Sequence, residues 1–440
     1  MADEPTPLTV IATAHSPHLL PSKPTQVLAS VLHGPHEVKL VRRTPNLWML
    51  QEKRSLEEPA LGELQIQIKA TGICGSDVSY YKKFANGDLC ACAPLSLGYE
   101  SSGVVVGIGP QVNGFTVGDR VVLEVGIPCG QCTICRKGRY NLCGKTRFRS
   151  SAKSVPHFQG TLQERINHPR AVVPQVCLCL IPDHVSFDAA ALLEPLSVAI
   201  HSLNRAAPAP GSTALVIGAG TVGLLVAAMA RQSGCTFVTI MGVDAGRADY
   251  AVSNGFATHG YVVSRPFHTS VPFSCSSIYT SGTSTPASEV GDSYHGLDGA
   301  KAAAADVLAV TRLDLEDGYE DEDEGVDVTF ECTGKEVCMQ TSLYVTKSGG
   351  SVIMVGMGTP IQTVPLSAAH LREVDILGIF RYANTYPAGI LLLAGRQLPS
   401  RDGMVTHRSH GLAEADNALA LAVRTADDEG KPVIEVVVEA

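Results

Sequence analysis

Residues 213–234, TALVIGAG running into TVGLLVAAMARQSG, read as a buried strand, a glycine turn and an apolar helix, and they decide the fold class. Gly218, Gly220 and Gly223 carry the Gly-x-Gly-x-x-Gly spacing of a dinucleotide site. Glycine is required in such a turn because a side chain would hold the backbone away from a pyrophosphate, whose charge is met by the helix N-terminus. Thr221 and Val222 open that helix and belong to the same cradle. Two later apolar runs that end in glycine, VDVTFECTG (326–334) and SGGSVIMVGMG (348–358), suit further parallel strands, with Thr333 and Gly356 in the turns that face the cofactor. A doubly wound α/β cofactor domain is the expected fold for this half.

The second decisive stretch is CGQCTICRKGRYNLC (129–143). Its C-x2-C-x2-C-x7-C spacing lets one loop close a tetrahedral thiolate cage from Cys129, Cys132, Cys135 and Cys143, so a structural zinc is expected. Four unrelated core thiols would rarely gather in one loop beside Gly, Lys and Arg.

The chain has 440 residues, too many for one ordinary domain, and its 45% hydrophobic content suffices for sizeable cores. Thirteen cysteines without an apolar leader point to a reducing, cytoplasmic setting. No stretch is long enough to span a membrane. The net charge of −9 argues against a polyanionic partner such as nucleic acid.

Residues 1–30 are rich in Pro, Ser and Thr and read as a flexible arm. LQIQIKATGIC (64–74) and SSGVVVGIGPQVNGFTVGDRVVLEV (101–125) read as short strands punctuated by glycine, a β-barrel lobe into which the cysteine loop is inserted. DAAALLEPLSVAIHSLN (188–204) reads as a helix broken by Pro208, Pro210 and Gly211. The expected division is a barrel domain over 31–188 and 381–440, and a cofactor domain over 189–380. The latter contains a low-complexity surface insertion at about 264–324, ending in an acidic run.

GICGSDVSYY (72–81), PLSLGYESSGVV (94–105), LLEPLSVAIHS (192–202), REVDILGIFRYANTYP (372–387) and MVTHR (404–408) together resemble the zinc-dependent medium-chain dehydrogenases, in particular the sorbitol, xylitol and arabinitol dehydrogenase branch. The resemblance implies a GroES-like β-barrel catalytic lobe beside the Rossmann domain, a homodimer or homotetramer, and hydride transfer between NAD or NADP and a small polar alcohol or carbonyl substrate. It also implies a catalytic zinc held at Cys74, Glu100 and Glu194. That ion would bind the alcohol oxygen and stabilise the alkoxide while hydride leaves. Ser76 fits the hydroxyl that accepts the alcohol proton. Arg381 and Tyr382 fit groups that hydrogen-bond the polyol chain, and Phe380 and Tyr80 fit apolar pocket contacts.

Two positions depart from the family pattern. Tyr99 stands where the family has the zinc-ligand histidine, and a phenol, with an ordinary pKa of about 10, is a poor zinc ligand at neutral pH. Ser79 stands where a histidine often relays the proton to solvent. Three readings remain open: a dehydrogenase that keeps zinc on Cys74, Glu100 and Glu194; a catalytic-zinc-free reductase of a carbonyl or activated alkene in which Tyr99, acidified by Arg381 or the cofactor, donates the proton; and a non-catalytic dinucleotide-binding relative.

In NAD-dependent relatives an acid lies about 20 residues beyond the glycines and binds the ribose hydroxyls. Gly242 occupies that place here, with Asp244 two residues further. A missing carboxylate would tolerate a 2′-phosphate paired with Arg247, whereas a slightly longer strand would bring Asp244 to the ribose. NAD and NADP both remain open.

Overall fold

The computed structural model describes residues 24–34, 49–169, 178–263, 287–312, 325–399 and 401–440. Six parallel strands form the cofactor domain, in the spatial order His259–Val262, Phe237–Gly242, Thr213–Ile217, Val326–Glu331, Thr346–Met354 and Asp375–Gly378. Numbered along the chain, that order is 3-2-1-4-5-6, and the switch of direction lies beside Thr213–Ile217, the strand that delivers the glycine turn. The central strands are apolar on both faces, with Leu215, Val216, Ile240, Phe330 and Val352 fully buried, because helices cover both sides.

The other lobe is a seven-stranded sheet built around Glu63–Gly72, which pairs antiparallel with Glu100–Ile108, with Arg165–Pro169 and with Glu435–Glu439. The last of these strands lies parallel to Val405–His410, so the C-terminal segment returns to the first lobe. Gly103 allows this packing, since a Cβ there would lie 2.3 Å from the Gln67 carbonyl oxygen. Helix Leu193–Ala206 carries its apolar face into the core shared with the glycine-turn helix and stops at Ala207, which is left-handed with φ 45°.

Two expected boundaries need correction. The flexible arm was expected to run to residue 30, but Thr25–Leu32 is a strand paired with Met49–Leu56, and Val27, Ala29, Val31 and Leu32 are buried. Apolar side chains that can pair and bury outweigh the polar composition preceding them; residues 1–23 lie outside the described residues. The expected insertion at 264–324 contains a helix, Ala287–Arg312, that belongs to the cofactor domain. Ala300, Ala303, Ala304 and Val307 are spaced to bury one face against Leu215, Ile217 and Met241. The remaining parts of that range, 264–286 and 313–324, lie outside the described residues.

Candidate functional site

Helix Thr221–Gln232 begins at Gly220, whose extended backbone opens onto free space: no atom lies within 4 Å of where its Cβ would be. Gly218 needs its left-handed φ of 113°, and a Cβ on Gly223 would lie 1.8 Å from the Gly218 carbonyl oxygen, so helix and strand meet only without side chains. The helix N-terminus and this glycine cradle fit a dinucleotide pyrophosphate. Thr333 closes one side, with its methyl 3.0 Å from the Gly218 Cβ position. Its loop is held by Glu331, which accepts from the Thr333 and Gly334 amides at 2.8 and 2.9 Å. Gly356 packs on the same loop, too closely for any Cβ.

At the end of Phe237–Gly242, Asp244 caps the next helix by accepting from the Arg247 amide at 2.9 Å. The Arg247 guanidinium, still within the field of Asp244, donates to the carbonyls of Val433 and Arg424, at 2.6 and 3.1 Å.

The second cluster lies where the barrel lobe meets that cradle. Cys74 precedes helix Gly75–Lys83, and Asp77 in its first turn is wholly buried. Asp77 accepts from the amides of Cys74 and Gly98 and from the Ser150 hydroxyl, so it joins three loops. Burial, only partly offset by those donors, pushes its carboxyl up to about 6. Tyr99 follows Gly98, and its hydroxyl lies 2.7 Å from Ser76 Oγ and also reaches the Cys74 thiol. Its ring meets Phe148 edge-on at 5.1 Å. On the same Phe148 ring lies the Arg381 guanidinium, 3.6 Å from the ring centre.

Glu100 and Glu194 complete the cluster and are 2% and 5% exposed. Burial, and then the neighbouring carboxylates Glu435 and Glu194, push Glu100 upward. Glu194 is pushed up to about 8 by burial, with Arg381 and the Tyr382 hydroxyl offsetting part of the cost. Cys74 is raised in turn, by burial and by Glu100, Asp77 and Glu194. The same causes, burial first, hold the Tyr99 phenol well above its ordinary value. Burial is the largest of these causes, and the Arg381 guanidinium on the shared Phe148 ring does not offset it, so the phenol keeps its proton.

Glu435 is a residue the sequence reading missed. Buried in the last strand, it lies against Glu100 and accepts from Thr221 Oγ1 at 2.8 Å. Both carboxylates crowd Gly72, where a Cβ would lie 2.7 Å from Glu435 Oε1 and 2.8 Å from Glu100 Oε2. Phe148, as the shared platform of Tyr99 and Arg381, was missed as well. Phe380 stacks on Arg381 at 4.7 Å, whereas Tyr80 is a core residue whose hydroxyl accepts from the Ala152 amide. Ser79 bonds back to the Gly75 carbonyl.

Cys129, Cys132, Cys135 and Cys143 bring their Sγ atoms within 4.8 Å of one another. Cys132 lies 3.5 Å from Cys135 and 3.9 Å from Cys143, which in turn lies 3.5 Å from Cys129. Thiolates about 2.3 Å from a tetrahedral zinc lie roughly 3.8 Å apart, so this site fits the ion. The Cys74 cluster fits a divalent cation by charge, since four buried acids face a single guanidinium. Its geometry is less complete: among the described residues, only the four-cysteine group brings three or more such ligand atoms this close.

A glycine-rich dinucleotide cradle, an acid and thiol cluster at the lobe junction and a tetrathiolate loop define a two-domain, zinc-containing nicotinamide oxidoreductase. Residues 60–178 match the alcohol dehydrogenase GroES-like domain, and residues 292–395 match the zinc-binding dehydrogenase family. The chain is 34% identical to the sorbitol dehydrogenase of Arabidopsis thaliana over 359 residues, covering 80% of this chain and 82% of the relative. It is 33% identical to the L-idonate 5-dehydrogenase of Vitis vinifera, with the same coverage. Among solved structures, a zinc-binding dehydrogenase from Sinorhizobium meliloti bound to NADP has a TM-score of 0.70 at 23% identity, covering 94% of this chain and all of that one. The chain belongs to the zinc-binding medium-chain dehydrogenases related to sorbitol dehydrogenase, whose cofactors are zinc and NAD(P).

Proposed function

We propose that the chain is an NAD(P)-dependent polyol dehydrogenase, interconverting a secondary alcohol such as that of sorbitol, xylitol or arabinitol and its ketone. The observation that carries this reading is the contact chain from Glu100 to Glu435, which crowd Gly72 together, and from Glu435 to the Thr221 hydroxyl. It sets the acid and thiol cluster one side chain away from the first turn of the glycine helix, where chemistry on a substrate carbon can meet a nicotinamide.

In this reading Gly218, Gly220, Thr221, Val222 and Gly223 seat the pyrophosphate, Thr333 and Gly356 line the cleft, and Asp244 lies nearest the adenosine ribose. That arrangement favours NAD, because Arg247 is committed to backbone carbonyls. Cys129, Cys132, Cys135 and Cys143 hold the structural zinc. Cys74, Glu100 and Glu194 would hold the catalytic zinc, which when bound supplies a Lewis acid for the alcohol oxygen.

The chain's own groups orient the substrate and carry the proton. Ser76 Oγ, bonded to the Tyr99 hydroxyl at 2.7 Å, would accept a hydrogen bond from the substrate alcohol and orient it, its own proton passing on only as the alcohol's arrives. Arg381, fixed over Phe148, and Tyr382 bind polyol hydroxyls and steady Glu194. Exposed Cys90 and Cys92 are free thiols, in keeping with a reducing cytoplasm. Asp375–Gly378 is an edge strand of the cofactor domain, suited to pairing with a second copy. No helix among the described residues is long and apolar enough to cross a membrane.

A second reading rests on the Tyr99 hydroxyl itself. Protonated and bonded to Ser76, it can donate to a carbonyl or enone in a reduction without catalytic zinc. Elemental analysis of protein purified without added metal or chelator separates the two. About two zinc ions per chain with chelator-sensitive polyol oxidation supports the first, and about one with chelator-resistant reduction supports the second.

A further inference from the structure

The segment bearing Arg381 is held by a loop 239 to 246 residues earlier in the chain. Asn141 Nδ2 donates to the Phe380 carbonyl at 2.8 Å, the Asn384 amide donates to the Tyr140 hydroxyl at 2.8 Å, and Asn384 Nδ2 donates to the Gly138 carbonyl at 2.8 Å. All three partners come from the loop between Cys135 and Cys143. Tyr140 is 5% exposed and packs with Cys135 and Cys143, and Ala383 packs against the same group. Its hydroxyl is oriented by donating to buried Glu124 at 2.5 Å.

Between these contacts the chain takes a conformation it would not adopt unaided. Arg381 and Asn384 have φ angles of 52° and 60°, in the left-handed region that Asn tolerates but Arg rarely adopts. That turn is what aims the Arg381 guanidinium onto Phe148, opposite Tyr99.

We propose that Tyr140 and Asn141 are positioning residues. They clamp residues 380–384 in the left-handed turn that places Arg381 in the substrate pocket, and so couple the integrity of the four-cysteine lobe to substrate recognition. The kinetic part rests on Arg381 being a substrate-binding group as read above; the conformational part does not.

The test uses Tyr140→Phe and Asn141→Ala in the full chain, with zinc content and melting temperature measured beside wild type. The Arg381–Tyr382 bond should become cleavable by trypsin faster than in wild type in either variant, while the cysteine zinc is retained. The polyol KM should rise by about ten- to a hundredfold with the dinucleotide Kd unchanged, as expected for a misplaced orienting group. In an Arg381→Ala background neither variant should cause a further loss.

Unchanged trypsin resistance in a zinc-loaded variant, or losses that multiply with Arg381→Ala, overturns the proposal. If wild type turns over no polyol, the polyol reading has failed and the trypsin result alone decides the clamp. If either variant loses zinc or does not fold, Asn141→Asp decides by the same readouts, since it keeps the side-chain shape and deletes the donor to the Phe380 carbonyl.

Discussion

Replacing Glu124 by Gln should stabilise the protein at alkaline pH and leave it nearly unchanged in acid. Glu124 is 4% exposed, and among the described residues its hydrogen-bond donor is the Tyr140 hydroxyl. Burial, only partly offset by that bond, pushes its carboxyl from 4.5 up to about 7. A group whose folded value is raised in this way binds its proton more tightly in the native state. Stability therefore falls as pH rises from the unfolded value through the folded one, and levels off above it. At about 1.4 kcal/mol per pKa unit the full penalty is about 3 kcal/mol, of which roughly 2.5 kcal/mol accrues between pH 5 and 8.5. Gln keeps an acceptor for Tyr140 and cannot ionise, so it escapes the penalty. It also removes a charge that raises Glu194 and Cys179. Urea unfolding of zinc-loaded wild type and Glu124→Gln at the two pH values gives the difference, to which the relieved Glu194 adds in the same direction. A stability gap that does not change with pH, or that grows in favour of wild type, would refute the assignment of a buried, protonated Glu124.

Tyr99→His supplies an imidazole where the phenol holds its proton, and elemental analysis should then give about two zinc ions per chain even if wild type gives one; no gain in zinc would mean that Cys74, Glu100 and Glu194 do not form a metal site. Ser76→Ala removes the partner of the Tyr99 hydroxyl, and steady-state kinetics should register a fall in kcat of about a hundredfold or more with little change in dinucleotide KM. Arg247→Ala should cost about 2 kcal/mol in unfolding free energy through its lost carbonyl bonds, while the ratio of kcat/KM for NADP to that for NAD stays the same. A changed ratio would show that Arg247 swings toward the ribose when cofactor binds.

What could be read from the sequence was local. Thr213–Ile217, its glycines and the helix to Gln232 form from neighbours in the chain, and the tetrathiolate lies within one loop, so spacing alone was enough. Helix Ala287–Arg312 was also signalled, by Ala300, Ala303, Ala304 and Val307 at helical spacing, but the Ser, Thr and Gly residues before it drew the whole stretch into a supposed insertion. The spatial strand order and the clamp on Arg381 join residues more than a hundred positions apart, where no local period records the contact. Glu435 is the sharpest case. In the sequence VIEVVVE it is one acid in an ordinary strand, and only the approach of that strand to Glu63–Gly72 sets it against Glu100 and Thr221.

Tyr99 and Glu435 therefore bear on one question from two sides. The phenol displaces the expected imidazole from the cluster, and the carboxyl adds an acid to it, so the site has one good neutral ligand fewer and one buried negative group more than the family resemblance implies. If Glu100 shares its proton with Glu435, it presents less charge toward Cys74, and a metal ion must compete with that proton for the carboxylate. Glu435→Gln leaves the Thr221 hydroxyl an acceptor and ends the competition between two acids. Zinc retention against a graded chelator should then change relative to wild type if the pair governs the metal site. It should stay the same if Glu435 serves only to join the last strand to the cofactor helix.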